Sequence, residues 1–142
     1  MKIEKFKDRL IAFDFESEMV NATDMLRAFP NKRMSDFLKL TQTEEFIEAI
    51  KSDNDYSRLT DNEILTIIRG NFSNGKSQGT WMCRILALKF AGWLDPKIEL
   101  FIYKTFDFVA KEITKNRELK LIEQQRQLDY FWDKSDQKDL YK

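Results

Sequence analysis

The distribution of apolar and polar residues divides the first half of the chain into short strands and short helices. Residues 10–15 are typical of a strand, and Met19-Val20 predicts a short return strand after a turn at residues 16–18. Asn21 follows as the N-cap of a helix that runs to about Phe29. The pattern therefore predicts a strand–turn–strand unit that leads directly into a helix.

Two further helices and a hairpin follow along the chain. Ser35 is the predicted N-cap of a helix over residues 36–40, with Phe37 on its inward side. Thr43 begins a third helix, which extends to Ile50 and carries its apolar residues on one face. Residues 64–68 form a largely β-branched run. Residues 75–81 place a polar tip between two glycines before a Thr-Trp pair, and the two segments together predict a hairpin.

The second half of the chain is predicted to be helical. One helix runs from residue 84 or 85 to about Trp93, and Asp95-Pro96 marks the start of the next, with Asp95 as its N-cap. This last helix is long, and its apolar face thins after Ala110. We therefore predict a domain at residues 1–110 and a C-terminal helical extension at 111–142. The extension pairs with its own domain, with a second copy or with a further C-terminal region.

The composition limits the chemistry that the chain can perform. Its 142 residues include no histidine and a single cysteine, Cys83. These counts exclude histidine-based catalysis, histidine metal sites, an internal disulfide and a cysteine-rich zinc cluster. No apolar run approaches about 20 residues and the N-terminus lacks a signal-peptide core. We expect a cytoplasmic protein (in a bacterial cell, or in an infected host cell if viral) with no membrane contact, no cofactor, no metal and no enzymatic activity.

The formal net charge is zero, but the charges are not evenly mixed. Residues 27–42 carry four cations and one acid, and residues 69–94 carry four cations and no acid. Between them, residues 43–63 carry seven acids and two cations. Two basic segments separated by an acidic one predict a molecule with two electrostatically different faces.

The predicted hairpin offers cations and amides but no carboxylate, which suits a phosphate-lined groove better than a catalytic pocket. Its candidate DNA-contacting residues are Arg69, Asn71, Asn74, Lys76, Ser77 and Gln78. Gln78 carries an amide that is able to read a base edge. Gly75 and Gly79 are the predicted turn residues, because glycine permits backbone angles that are closed to other residues.

Other groups have a chemical interpretation beside a structural one. The acids between Asp14 and Asp24 suit a magnesium-dependent nuclease, but they lie on a turn and a cap, where acids commonly serve local structure. Trp81 and Trp93 suit base stacking, but both adjoin apolar helices, which favours core packing. Cys83 has no nearby acid or histidine to activate it, so we interpret it as a buried filler.

Several stretches in a fixed order point to a family. Asn21-Ala22-Thr23 opens a helix after a strand, and residues 75–81 close a hairpin before another helix. With residues 33–38, 43–47 and 86–94, they resemble the KilA-N domain of phage, large DNA virus and bacterial prophage proteins, and the resemblance covers roughly residues 10–109, about 70% of the chain. The set also looks like the related APSES domain of fungal transcription factors. The family usually has a proline shortly after the tryptophan, where this chain has Met82-Cys83-Arg84.

The resemblance implies a compact α+β fold with a winged helix-turn-helix-like unit, short β-hairpins, about five helices and a protruding C-terminal helix. It also implies binding of double-stranded DNA without catalysis, with the helix at 35–40 presented to the duplex. Lys32 and Arg33 then precede the N-terminus of that helix, where phosphate is favoured. Before the resemblance, phosphate contact and a solvated turn are equally good interpretations of these two cations. Lys39 and Gln42 are candidates on the exposed side.

Two functions remain open. The first is a sequence-preferring DNA-binding domain of a phage, prophage or viral regulatory protein, which uses the helix at 35–40 and a basic wing at 69–81. The alternative is an antirepressor-like protein-interaction module that acts through the acidic segment at 43–63 and the C-terminal helix. The neutral total charge favours the alternative, because strong DNA binders are usually basic overall. The same helix is a candidate for self-association.

Overall fold

A five-stranded antiparallel sheet forms the centre of the fold. The computed structural model describes residues 1–70 and 76–140, with the side chains of all of these except 134–140. The strands are β1 Lys2–Phe6, β2 Arg9–Asp14, β3 Met19–Asn21, β4 Leu65–Ile68 and β5 Gly79–Cys83. They lie in the order β1-β2-β3-β5-β4, so the predicted hairpin strands β4 and β5 are neighbours at one end.

Six helices are present in the described residues. They are α1 Ala22–Leu26, α2 Met34–Leu38, α3 Thr41–Ser52, α4 Asp61–Ile64, α5 Arg84–Leu94 and α6 Pro96–Leu140. The predicted α+β class is thus confirmed, as are the long last helix and the cap at its start. Asp95 Oδ2 accepts a hydrogen bond from the Lys97 backbone N–H at 2.8 Å, which satisfies one of the unpaired amides of the first turn of α6.

Both faces of the sheet are covered along β2. Successive side chains of a strand point to opposite faces, yet Ile11, Ala12 and Phe13 are all buried. On one face, Ala12 packs with Met19 and Trp81 in a small cluster that also touches Ile68. Trp81 is therefore part of the core, as the sequence predicted.

Several local predictions are wrong. Ser35 does not cap α2: Arg33 holds the N-cap position and no side chain caps it. The position of Phe37, which packs on Phe90 at a ring-centroid distance of 4.9 Å, sets where α2 begins, and this places Ser35 inside the first turn. α1 ends at Leu26 and not near Phe29, since only turns follow it. α3 begins at Thr41, two residues before the predicted start.

Two elements were not predicted. β1 pairs along its full length with β2, from Lys2 opposite Phe13 to Phe6 opposite Arg9. α4 is a single turn that a capping box stabilises. The side chain of Thr60 accepts a hydrogen bond from the backbone N–H of Glu63, and the side chain of Glu63 accepts one from the backbone N–H of Thr60.

The chain divides into two compact units, Met1–Lys104 and the residues from Thr105 onward. The second unit is helical through Leu140, and its large apolar side chains are mostly exposed, among them Phe108, Leu121 and Trp132. None of the helices in the described ranges combines the length and the apolar character that crossing a bilayer requires. The predicted boundary near residue 110 stays a prediction.

Candidate nucleic-acid interface

The base of the hairpin is held to the start of α1 by one buried side chain. Asn21 is fully buried, and its Oδ1 accepts a hydrogen bond from the Asp24 backbone N–H at 3.2 Å, so it caps α1 as predicted. Its Nδ2 donates to the Gln78 carbonyl at 2.9 Å and to the Ser77 hydroxyl at 3.3 Å. One amide group therefore fixes both the helix start and the end of the hairpin loop.

The next residues of α1 complete the sheet on either side of β3. β3 ends at Asn21, so Ala12 of β2 and Thr80 of β5 lie just beyond its paired part. The Ala12 N–H donates to Asp24 Oδ2 at 3.0 Å, and the Thr80 N–H donates to Thr23 Oγ1 at 2.9 Å. The side chains of Asp24 and Thr23 thus accept the hydrogen bonds of two backbone N–H groups that a longer β3 would otherwise pair with. We call these contacts of Asn21, Thr23 and Asp24 the polar junction.

Burial shifts the pKa of the acid in this junction. It raises the pKa of Asp24 above its ordinary value of 3.8, against the opposing effects of the Ala12 hydrogen bond and the Arg27 charge. Arg27 reaches back one turn and places its guanidinium 2.9 Å from Asp24 Oδ1. Asp24 is occupied on both oxygens by these two partners, which is the local structural role that the sequence favoured over a metal site.

Gly79 has a backbone that only glycine adopts readily, with a φ of +141°. A Cβ atom at this position would lie 2.5 Å from Asn21 Oδ1, inside van der Waals contact. Both its backbone angle and its surroundings therefore require glycine. Gly79 is the first residue of β5 and lies opposite Ile68, so its predicted role as a turn residue stays a prediction. Gly75, the other predicted turn residue, lies outside the described residues.

Lys76 is not an exposed cation. Its ammonium group forms a 2.9 Å ion pair with Asp14 Oδ2, and the two side chains are only 12% and 14% exposed. It also stands 6.0 Å from the centroid of the Trp81 ring. Burial alone would raise the pKa of the Asp14 carboxyl, but hydrogen bonds from Lys76 and Ser17 and the Lys76 charge together lower it.

The remaining described hairpin residues differ in exposure. Arg69 and Gln78 are exposed, whereas Ser77 is half-buried, and its carbonyl accepts a hydrogen bond from Trp81 Nε1 at 2.7 Å. Asn71 and Asn74 lie outside the described residues. Among the described members of the predicted set in this region, Arg69 and Gln78 are accessible to a ligand.

The helix α2 is attached to the body by aromatic side chains. The buried Phe37 packs edge-on against Phe90 and lies 5.5 Å from Trp93, measured between ring centroids. Lys32 completes this group: its Nζ donates to the Trp93 carbonyl at 2.7 Å and stands 4.5 Å from the centroid of the indole. We call the contacts of Lys32, Phe37, Phe90 and Trp93 the aromatic junction. Lys32 is thus a packing residue as well as a candidate phosphate ligand.

The outer side of α2 carries exposed charge. Arg33 at its N-cap and Lys39 at its C-cap are both exposed, as is Gln42 in the first turn of α3. Asp36 is exposed between them, in the first turn of α2, where an acid is stabilised by the helix dipole. This segment therefore presents two cations and an amide, with one acid among them.

Neither the thiol nor the acids form a reactive site. Cys83 is buried, and burial raises the pKa of its thiol, which keeps it protonated at neutral pH. Asp14 and Asp24 each have a cationic partner. Within the described ranges, no group of three or more His, Cys, Asp or Glu side chains is placed to hold a metal ion.

Sequence reasoning missed the partners of the two half-covered lysines. Lys32 is bound by a carbonyl 61 residues away, and Lys76 by a carboxylate about as distant in the chain. Because such pairs depend on the tertiary fold, no local pattern indicates them. The roles of Thr23 and Asp24 could have been predicted from the sequence, because a strand of only three residues is followed at once by polar side chains.

A short helix and a hairpin, each fixed to one α+β body and each carrying exposed polar side chains, are features that a small nucleic-acid-binding domain uses. Residues 4–112 match the family model of the KilA-N domain. The chain therefore belongs to the KilA-N family, whose domains generally bind DNA. Comparisons with curated proteins and with solved structures gave no significant match.

Proposed function

We propose that this protein is a sequence-preferring double-stranded DNA-binding regulator of phage, prophage or viral genes. It acts by binding, without catalysis, in the manner of a winged helix-turn-helix. α2 and the α2–α3 turn enter or border the groove, and the hairpin at residues 69–81 serves as the wing. Family membership supports the DNA-binding part of this proposal. The roles that we assign to α2 and to the hairpin rest on which of their polar side chains are exposed.

The observation that carries the proposal is the placement of α2. Its one fully buried side chain, Phe37, is held by Phe90 and Trp93, so the opposite side of the helix is free to meet a ligand. Arg33 at the N-cap and Lys39 at the C-cap of α2 are both exposed. A duplex backbone is a row of phosphates, and two cations about one and a half helical turns apart are placed to contact it.

The half-covered lysines have a different role in this proposal. Lys76 reaches a phosphate only by leaving Asp14, and Lys32 only by leaving the Trp93 carbonyl. They position the contact surface and add to its positive potential, while Arg33, Lys39 and Arg69 make the phosphate contacts. Gln42 and Gln78, both exposed amides, are the candidates for reading base edges.

The first experiment measures binding to a random-sequence duplex across a salt series. Arg33→Gln and Lys39→Gln should weaken binding to all sequences. Each should also lower the slope of log affinity against log salt by about 0.9, because one phosphate contact is lost. Lys97→Gln, an exposed lysine outside the candidate set, is the matched control and should change neither quantity. Equal affinity and slope in all three variants would refute the proposed contact surface.

A second measurement uses the acid on the same helix. Asp36→Asn removes the negative charge that lies between the two cations, so it should tighten binding to every duplex. A selection from random duplexes with Gln78→Ala and Gln42→Ala should show altered base preference at a few positions. Unchanged preference in both variants would contradict the assignment of base reading to these amides.

The acidic segment supports a second candidate function, an antirepressor-like interaction module. All seven of its acids are exposed: Glu44, Glu45, Glu48, Asp53, Asp55, Asp61 and Glu63. Lys51 partly neutralises them through contacts with Glu48 at 3.6 Å and Asp61 at 3.4 Å. If this surface grasps a basic partner, Glu44→Lys with Glu45→Lys should abolish capture of a repressor from the same genome and leave the gel shift intact. Loss of the gel shift alone would contradict it.

A further inference from the structure

A cleft of about 500 Å³ lies behind α2, between the α2–α3 segment and the helices α5 and α6. Its volume falls in the range of small-molecule sites. Its walls are about equally polar and apolar, and the aromatic side chains among them include Phe46, Trp93 and Tyr103. All of its lining residues belong to the unit Met1–Lys104.

Two opposite charges line this cleft without partners. The Lys89 ammonium group stands 4.9 Å from the centroid of the Phe46 ring and forms no ion pair with any residue that the structure describes. The Glu99 carboxylate lies directly against Gly92, where a Cβ atom would collide with it, and within the described ranges it accepts no hydrogen bond. Both side chains are half-buried. Lys89 and Gly92 are three residues apart on α5, so the Lys89 side chain leaves the same face of α5 that the Glu99 carboxylate contacts.

A polar atom in the wall also lacks a partner. Thr43 lines the cleft and is 1% exposed. Among the buried side-chain nitrogen and oxygen atoms of the described residues, its Oγ1 is the one with no hydrogen-bond partner. Buried hydroxyls are nearly always hydrogen-bonded, so an unsatisfied one beside a cleft indicates a missing acceptor or donor.

We propose that this cleft binds a free α-amino acid with an apolar side chain. Its ammonium group pairs with Glu99, and its carboxylate pairs with Lys89 and accepts from Thr43 Oγ1 after a rotation of that side chain. Its apolar side chain lies among Phe46, Trp93 and Tyr103. A zwitterion with an apolar body offers a partner to each unpaired charge and an apolar part to the aromatic side chains, whereas an apolar ligand alone would cover two half-buried charges without pairing them.

A ligand in the cleft should also change the affinity for DNA, and this part of the proposal rests on the proposed function. Phe37 of α2 and Gln42 of α3 line the same cleft. A ligand that packs against them fixes the α2–α3 segment on α5 before DNA arrives, which lowers the ordering cost of DNA binding. By linkage, DNA should raise the affinity for the amino acid by the same factor.

The binding experiment uses the full chain without DNA. L-Leucine and L-phenylalanine are titrated by calorimetry beside N-acetyl-L-leucine, which lacks the ammonium group, and L-leucinamide, which lacks the carboxylate. The free amino acids should bind with a dissociation constant below about 1 mM, and each blocked form at least about tenfold more weakly. No heat from any amino acid, or equal affinity for blocked and free forms, would overturn the proposal.

Variants assign each end of the ligand. Glu99→Gln should reduce the affinity for L-leucine and abolish the preference over N-acetyl-L-leucine, whereas Lys89→Met should abolish the preference over L-leucinamide. Thr43→Val should weaken binding of both the free amino acid and the N-acetyl form, since both retain the carboxylate. Lys97→Gln is the control. Preferences that persist unchanged in Glu99→Gln and Lys89→Met would overturn the assignment even if these variants bind amino acids.

The coupling is measured separately, as the affinity for duplex with and without saturating L-leucine. We expect at least a fivefold gain, a change at the lower end of typical couplings, and none in Glu99→Gln. Equal DNA affinity in both conditions would refute the coupling. If no duplex binds under any condition, the proposed function fails, whereas the binding of amino acids to the chain alone is judged by its own titration.

Discussion

The two candidate contact elements are held to the same body by different chemistry. The hairpin base is fixed at the polar junction by four directional hydrogen bonds, which Asn21 and Thr23 make with Asp24 and with residues 77–80. α2 is fixed at the aromatic junction, where ring contacts dominate and the Lys32 hydrogen bond to Trp93 is the polar addition. The hairpin base is therefore held mainly by hydrogen bonds, and α2 mainly by the burial of aromatic rings.

The difference teaches what each element tolerates. Hydrogen bonds weaken steeply when their angles change, so the hairpin base has one position. The attachment of α2 depends instead on buried ring contacts, beside which a cleft lies, so it should be more sensitive to lost side-chain volume than to lost hydrogen bonds.

The largest expected effect is at the aromatic junction. Phe37→Ala removes a fully buried ring and should lower the free energy of unfolding by about 3–5 kcal/mol, as large-to-small core changes do. Phe37→Leu, which retains most of the volume, should lower it by clearly less. Urea denaturation followed by tryptophan fluorescence measures both. A loss below about 1 kcal/mol for Phe37→Ala would mean that α2 is not held by this ring.

The next effect is at the polar junction. Gly79→Ala places a Cβ against Asn21 and forces a non-glycine residue to a φ of +141°, a backbone strain that alone costs about 1–3 kcal/mol. Gly70→Ala is the matched control, because Gly70 also has a positive φ, +79°, but nothing lies within 4 Å of the added carbon. Thermal and urea unfolding should show the larger loss for Gly79→Ala. Equal losses would mean that Asn21 moves aside without cost.

A smaller effect separates the two roles of Asn21. Asn21→Asp keeps an oxygen to cap α1 but cannot donate to the Gln78 carbonyl or the Ser77 hydroxyl. We expect a loss of about 1–3 kcal/mol, from buried groups left without a donor. Amide exchange should quicken at Thr80 and not within α1. Faster exchange in α1 instead would place the main role of Asn21 in capping.

The smallest expected effect is on the pH dependence of stability. Asp14 and Asp24 should contribute to it with opposite signs, because their pKa values are shifted in opposite directions. The pKa of Asp14 is lowered from 3.8, so its stabilising contribution is present above that value and is lost as the pH falls through the folded pKa. The pKa of Asp24 is raised, so its contribution is greatest below 3.8 and is lost as the pH rises through the folded pKa.

Substitution should therefore change the pH profile of stability in opposite directions. Asp14→Asn should remove part of the rise in unfolding free energy that occurs as the pH increases toward 3.8. Asp24→Asn should remove part of the fall above it. Lys76→Gln provides the check: it should change the profile in the same sense as Asp14→Asn, and adding it to Asp14→Asn should have little further effect on the profile. Parallel profiles for all variants would contradict both assignments.

The order of elements from β2 onward, except the single-turn helix α4, followed from local pattern, because apolar runs and caps are local. β1 did not, since its Ile3 is exposed and its strand exists through pairing with β2. The start of α2 was placed too late, because the packing of Phe37 overrides the capping preference of Ser35. The candidate residues could be proposed from charge, but the partners of Lys32 and Lys76 could not, since distant parts of the chain supply them.

The short length of β3 has a consequence for assembly. A strand of three residues between two longer neighbours opens a notch in the middle of the sheet, with backbone amides of both neighbours directed into it. Such a notch invites a foreign strand to insert and start edge-to-edge aggregation. Thr23 and Asp24 fill it from the first turn of α1, so the residues that hold the base of the hairpin also satisfy the amides that an inserted strand would pair with.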